Sequence, residues 1–199
     1  MQYEHLLIFS TVCVVAFLLI TYLLPRFLLF VYKRAILVTG FGEGPIQINT
    51  LWTEPEAIFA DPFNLPPSAP KVATSGVNRD TLLVLGWLDL GKGPQILHVP
   101  DFSDRYYSVQ FTNPSKNTNF AYVGTRTAGT KAGDYLITGP GWKGVVPVGM
   151  KNISSPNNSV IVIGRILVYS DSDLPTAHGL AKQIALMPPH SLDTKKASQ

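Results

Sequence analysis

The feature that most constrains this chain is the run from Leu6 to Leu24, "LLIFSTVCVVAFLLITYLL", nineteen consecutive residues without a charge. About 20 apolar residues are what a helix needs to cross the hydrocarbon core of a bilayer. A second apolar run, Phe27 to Tyr32, follows Pro25-Arg26 and ends at Lys33-Arg34. A cleaved signal peptide would carry a basic start, a shorter apolar stretch and a small-residue cleavage site. "MQYEH" has no Lys or Arg, and no A-x-A pattern comes after the run. The expectation is a retained membrane anchor over residues 1–34, crossing once with a helix over about 6–32 and holding the rest of the chain at the lipid bilayer.

Which side carries that remainder is contested by the residues themselves. Arg26, Lys33 and Arg34 all lie on the C-terminal side of the run. By the excess of cations in cytoplasmic loops, they put the remainder in the cytoplasm. Asn152-Ile-Ser154 and Asn157-Asn158-Ser159 fit the glycosylation pattern, a tripeptide frequent by chance. The one cysteine, Cys13, sits inside the apolar run, so no intrachain disulfide can form. Those three cations also account for the net charge of +3: without them, 13 Lys and Arg face 13 Asp and Glu. A neutral domain lacks the clustered Lys and Arg of a nucleic-acid footprint, so no nucleic-acid partner is expected.

Past the anchor the texture changes twice. Residues 35–76 alternate short apolar pieces with Gly and Pro, and "EPEAIFADPFNLPPSAP" (Glu54 to Pro70) holds five prolines. Such a stretch excludes a long helix and disfavours central strands, so 35–76 is expected to be a connecting segment with one helical turn near Glu56 to Phe59. From residue 77 to 187, short strands alternate with turn signals: "TLLVLGWLDL", "QILHV", "RYYSVQFT", "FAYVGTRT", "DYLIT" and "SVIVIGRILVY". Spacings of about 8 to 15 residues with Gly, Pro and Asn turns predict a mainly β, antiparallel sandwich or barrel-like domain. "DSDLPTAHGLAKQIAL" predicts one C-terminal helix, weakened by Gly179, and 188–199 reads as a polar tail.

Absences narrow the chemistry. His5, His98, His178 and His190 share no metal-ligand spacing and no cysteine partner, so no structural zinc is expected. No G-x-S-x-G elbow occurs, and "GPGWKG" lacks the Lys-Ser/Thr of a phosphate loop. Neither a cofactor nor a recognised catalytic motif is read from the chain. Within the strand Thr81 to Leu90, Asp80 and Asp89 fall about 30 Å apart, too far for a pair of carboxylates working on one bond. Neither face of that strand alternates cleanly to polar, so it should be covered on both sides.

Six residues remain as a candidate ligand pocket or ion-pair network: Asp80, Arg105, Tyr107, Arg126, Trp142 and Arg165. Arginines with aromatic neighbours such as Tyr106 and Tyr122 can line a site for an anionic ligand. The blander reading is that the arginines sit on the solvent face or pair with Asp80, Asp89, Asp101 or Asp104. Asp80 with Arg105 or Arg126 is the sharpest pairing to check, with Asn78 supplying turn hydrogen bonds at the strand entry.

Taken together, "NRDTLLVLGWLDL", "GPQILHVPDFSDRYYSVQFTN", "AYVGTRTAG", "GPGWKG" and "SPNNSVIVIGRILV" resemble the family catalogued as domain of unknown function 1254, over about residues 71 to 187. The resemblance implies a β-rich domain, often exported or membrane-anchored and often accompanied by a second domain, domain of unknown function 1214. Two departures stand out: Leu83 replaces the tyrosine of the family's Asn-x-Asp-Thr-Leu-Tyr motif, and no companion domain is recognised in these residues. The resemblance therefore implies a protein partner, a separate membrane protein carrying the companion, and a domain outside the cytoplasm. The functional expectation is an accessory or structural subunit docking on that partner. The alternative is a small-ligand binder or enzyme with an Arg/Tyr-lined pocket.

Overall fold

The computed structural model of the chain describes residues 2–40, 44–60, 78 and 80–189. Arg79, His190 and the rest of the expected tail, and most of the proline-rich stretch lie outside the described residues.

The first helix, α1 (Gln2–Thr39), is longer than the expected span at both ends. It passes through Pro25, whose missing N–H removes one backbone bond. Ser10, Thr11 and Thr21 turn their hydroxyls back onto the carbonyls of Leu7, Leu7 and Phe17, as hydroxyls on an apolar helix must. The segment "AILV" (Ala35 to Val38), expected to start the connecting segment, contains no breaker and continues the helix. Gly40 ends it: at φ 64° it adopts the left-handed conformation, and its N–H returns to the carbonyl of Ile36. Over its length α1 is the one helix, among the described residues, long and apolar enough to cross a membrane.

The remainder is a sandwich of two sheets and not a closed barrel. The five-stranded sheet runs β1 (Leu51–Thr53), β2 (Thr81–Asp89), β8 (Ser159–Leu167), β4 (Tyr107–Asn113), β5 (Thr118–Gly124), all antiparallel. The four-stranded sheet runs β7 (Lys151–Ser154), β6 (Gly133–Thr138), β3 (Gln95–Val99), β9 (Ala185–Met187), with β6 and β7 parallel. The short helix α2 (Glu56–Ala60) matches the expected turn, and α3 (Leu174–Gln183) is the C-terminal helix. A 3-10 turn, Asp171–Asp173, leads into α3. His178 Nδ1 lies 2.8 Å from Glu56 Oε1, tying α3 to α2.

Strand parity builds the core. Leu82, Val84 and Leu88 of β2, Tyr107, Val109 and Phe111 of β4, and Val160, Val162 and Ile166 of β8 project to the inner face. Leu97, Val99, Tyr135 and Ile137 meet them from the second sheet, and Ala177 and Ala181 of α3 close one side. Three strands fall where the sequence showed none: β1 makes part of the expected connecting segment integral to the domain, β7 forms in the stretch before β8, and β9 takes residues assigned to the end of the helix. Ile184, at the helix end with ψ 121°, is already extended and lets Ala185 to Met187 pair with β3.

The outer face of β2 is also covered, by α1. Trp87, 1% exposed, packs with Ile36 and Ile46, flanked by Leu29, Leu37, Trp52 and Ile161. Lys33 Nζ lies 5.2 Å from the Trp87 ring centre, and the indole N–H donates to Ser159 Oγ at 2.7 Å. The C-terminal part of α1 is thus seated on the sheet.

Candidate functional site

The register of the five-stranded sheet carries most of the singled-out charges to one end. Thr81 pairs with Leu167, Tyr107 with Ile166, and Ser108 with Arg165, so Asp80, Arg105, Arg126 and Arg165 become neighbours along the backbone. Their side chains then part. Arg105, 8% exposed, does not pair with Asp80. It makes a two-pronged contact with Asp173, Nη1 to Oδ2 at 2.5 Å and Nη2 to Oδ1 at 2.7 Å, and gives Nη1 also to the Leu167 carbonyl at 2.6 Å. Tyr169 lays its ring 4.8 Å beneath the guanidinium and donates its backbone N–H to Asp173 Oδ2.

That arrangement satisfies the guanidinium locally. The carboxylate of Asp173 raises the pKa of Arg105, and the same hydrogen bonds hold the Asp173 carboxyl below its ordinary range. The partner lies 68 residues away in sequence, beyond any of the aspartates expected for it. Of those, Asp101 takes Lys131 at the surface, and Asp89 accepts from Gly91 N–H to cap the 3-10 turn Leu90–Lys92. Asp80 is exposed; its carbonyl accepts from Val168 N–H, and its own N–H donates to Asn78 Oδ1. Asn78 does anchor the strand entry, also giving Nδ2 to Thr81 Oγ1 at 2.9 Å.

The other candidates are dispersed. Arg126 is exposed, 5.9 Å over the Tyr106 ring. Arg165 stands on the outer face and acts on Glu54, whose carboxyl is raised chiefly by burial although it accepts from Leu83 N–H at 3.0 Å. Tyr107 is fully buried, stacked on Phe102 at 4.1 Å between ring centres. Its hydroxyl finds no partner among the described residues, and burial, with Tyr135 nearby, pushes its pKa up to about 12. Strand parity was the signal: Tyr107 alternates in phase with Val109 and Phe111, so it points inward.

Trp142 belongs to the opposite sheet. The loop between β6 and β7 carries it over a groove of about 420 Å³, where it faces Leu136, Val145, Pro147, Pro188 and Pro189, with Lys92 and Gln95 at the rim. The loop also turns aliphatic side chains outward: Val145, at the groove, is 89% exposed and Val148 fully so. Together with Tyr122 and Tyr169 these are the large apolar side chains left open to solvent outside α1, among the described residues. No group of three His, Cys, Asp or Glu side chains converges on a metal-sized site among the described residues. The groove offers apolar surface, prolines and an indole, with Lys92 at its edge.

The sequons also separate. Asn157 gives its amide nitrogen to Asn113 Oδ1 and Ser115 Oγ, which ties the β7–β8 turn to the end of β4. Asn152 is exposed on β7.

A family model described as "Protein of unknown function (DUF1254)" matches residues 62–188. No curated protein matches the sequence. Among solved structures, the VPA0106 protein from Vibrio parahaemolyticus is similar at 31% identity and a TM-score of 0.53, over 56% of this chain and 28% of its own. An uncharacterised protein from Burkholderia cenocepacia is similar at 11% identity and a TM-score of 0.39, over 61% of this chain and 32% of its own, too distant to carry an argument. The chain thus spans less than a third of the length of either solved relative.

Proposed function

The chain belongs to the family of proteins of unknown function DUF1254, and from that membership we propose that it is a single-pass, membrane-anchored, non-catalytic docking module, an accessory subunit of a membrane-protein partner. The observation that carries the reading is the β6–β7 loop, which holds Val145 and Val148 in water beside the groove under Trp142. Exposed apolar side chains grouped at one edge mark an interaction surface more often than an isolated one does. The partner would be a polypeptide carrying the companion domain that the family resemblance implies. In this reading the domain lies outside the cytoplasm, although Arg26, Lys33 and Arg34 pull the other way.

The competing pocket for an anionic ligand has less support. Arg105 spends its inner donors on Asp173 and Leu167, and Trp142 lies on the other sheet. Purification of the full chain from its own membranes in mild detergent tests the reading. A stoichiometric second protein is expected, and a chain that migrates alone at about its 21.8 kDa mass defeats it. Protease added to sealed vesicles from the cytoplasmic side should leave the domain intact.

A further inference from the structure

Resting on the single-span reading, we infer that α1 makes a second contact with the bilayer: past its crossing part, the face bearing Phe27, Leu28, Val31 and Arg34 seats in the phosphate headgroup layer and holds the sandwich against the leaflet. Helix α1 has 38 residues, about 57 Å, whereas the hydrocarbon core is about 30 Å thick. Two markers locate the crossing. Tyr3 and Tyr22 are interfacial residue types set about 29 Å apart along the helix. Arg26 stacks on Tyr22 at 3.5 Å and gives Nη1 to the Tyr22 carbonyl at 2.9 Å, which fixes a cation at that level. The helix therefore leaves the hydrocarbon between Tyr22 and Pro25.

Beyond Pro25 the helix is apolar on both sides, and only one side is covered. Leu29, Lys33, Ile36 and Leu37 face the sheet around Trp87. Phe27, Val31, Arg34 and Val38, at spacings of four, three and four residues, run along the opposite face. Phe27 is 61% exposed, Leu28 56% and Val31 44%. Headgroups add about 5–8 Å to each side of the core. Phe27 and Leu28 fall about 3–5 Å beyond Pro25, within that layer, and Val31 about 9 Å, just past its edge, with its side chain leaning back toward it. Arg34 starts about 14 Å out. Helical side chains lean toward the N-terminus, here toward the leaflet, and its long stem reaches back to the phosphates.

Charge selects the occupant. After Glu4 the described part of α1 carries Arg26, Lys33 and Arg34 and no acidic residue, which suits the anionic phosphates of a headgroup layer. A second copy packed in parallel on this face would set Arg34 against Arg34. The juxtamembrane helix then acts as a short amphipathic foot, apolar toward the acyl boundary and cationic toward phosphate.

The test uses the full chain with Cys13→Ser and one new cysteine, Val31→Cys or, as a control on the exposed β4–β5 turn, Lys116→Cys, each carrying an environment-sensitive fluorophore. The labelled protein is reconstituted in phosphatidylcholine vesicles with and without phosphatidylglycerol. The label at 31 should be quenched several-fold more strongly by headgroup-depth spin-labelled lipid than the label at 116, and Arg34→Glu should at least halve that difference in the anionic vesicles. If the protein floats with the vesicles but iodide quenches both positions alike, or position 31 is closed to lipid and iodide both, the headgroup contact is wrong while the anchor stands. If it does not float, the span itself is wrong.

Discussion

Arg105 and Asp173 face each other through two parallel hydrogen bonds at 2.5 and 2.7 Å, joining the start of β4 to the turn that begins α3. With the guanidinium 8% exposed and Tyr169 stacked on it, this pair fastens the C-terminal helix to the sandwich. Removing one partner leaves the other charge largely out of water. Asp173→Ala should therefore lower unfolding stability by about 3 kcal/mol, read by urea denaturation, with the double variant Arg105→Met/Asp173→Ala costing less because no buried charge is left behind. Equal costs would show that the pair is not desolvated enough to matter.

The same pair sets an acid limit. Arg105 depresses the Asp173 pKa, so its contribution is present above the unfolded value of about 3.9 and is lost as pH falls through the depressed folded value. Denaturation followed from pH 7 to pH 2 should show a loss below about pH 4 that Asp173→Asn abolishes. A wild type and variant that fall in parallel would contradict it.

Glu54 behaves in the opposite sense. Burial raises its pKa, so the folded state binds that proton more tightly and stability falls as pH rises through the window above the ordinary value of 4.5. Glu54→Gln keeps an oxygen for Leu83 N–H and removes the buried charge. It should raise the melting temperature at pH 7 and change little at pH 4; a lowered melting temperature at pH 7 would mean that attraction from Arg165 outweighs burial.

Tyr107 holds a hydroxyl in the core with no partner among the described residues, so Tyr107→Phe should be neutral or stabilising by about 1 kcal/mol. With its pKa up at about 12, the phenol stays protonated in the fold while it ionises at about 10 in the unfolded chain. Wild type should lose stability between pH 10 and 12 in a way the variant does not share. A variant weakened by more than about 1 kcal/mol would reveal a hydrogen bond to that oxygen.

Much of this architecture is legible in the residues alone, for identifiable reasons. The long strands β2, β4 and β8 advertise themselves because apolar, β-branched and aromatic residues persist over seven to nine positions between turn signals. β7 and β9, four and three residues long, do not, because their strand character comes from pairing with β6 and β3. The overrun of α1 past Arg34 was hidden because its stabilising contact, Ile36 on Trp87, joins residues far apart in sequence. Asp173 was hidden for the same reason. Asn78 at the entry of β2 was readable, since an Asx turn is local. The pocket candidates mixed the two kinds: residue type suggested Arg105 and Tyr107, whereas parity and a distant aspartate decide where they point.

The measurement that bears most directly on the docking module is site-specific photo-crosslinking in the membranes of the cell that makes the protein, with the reactive group at Val148 and a control at Lys116. Val148 should give one discrete adduct with a membrane protein, and Val145→Asp should reduce its yield several-fold without releasing the chain from the membrane. A Val148 probe that yields no adduct, or the same diffuse products as Lys116, would contradict the docking role.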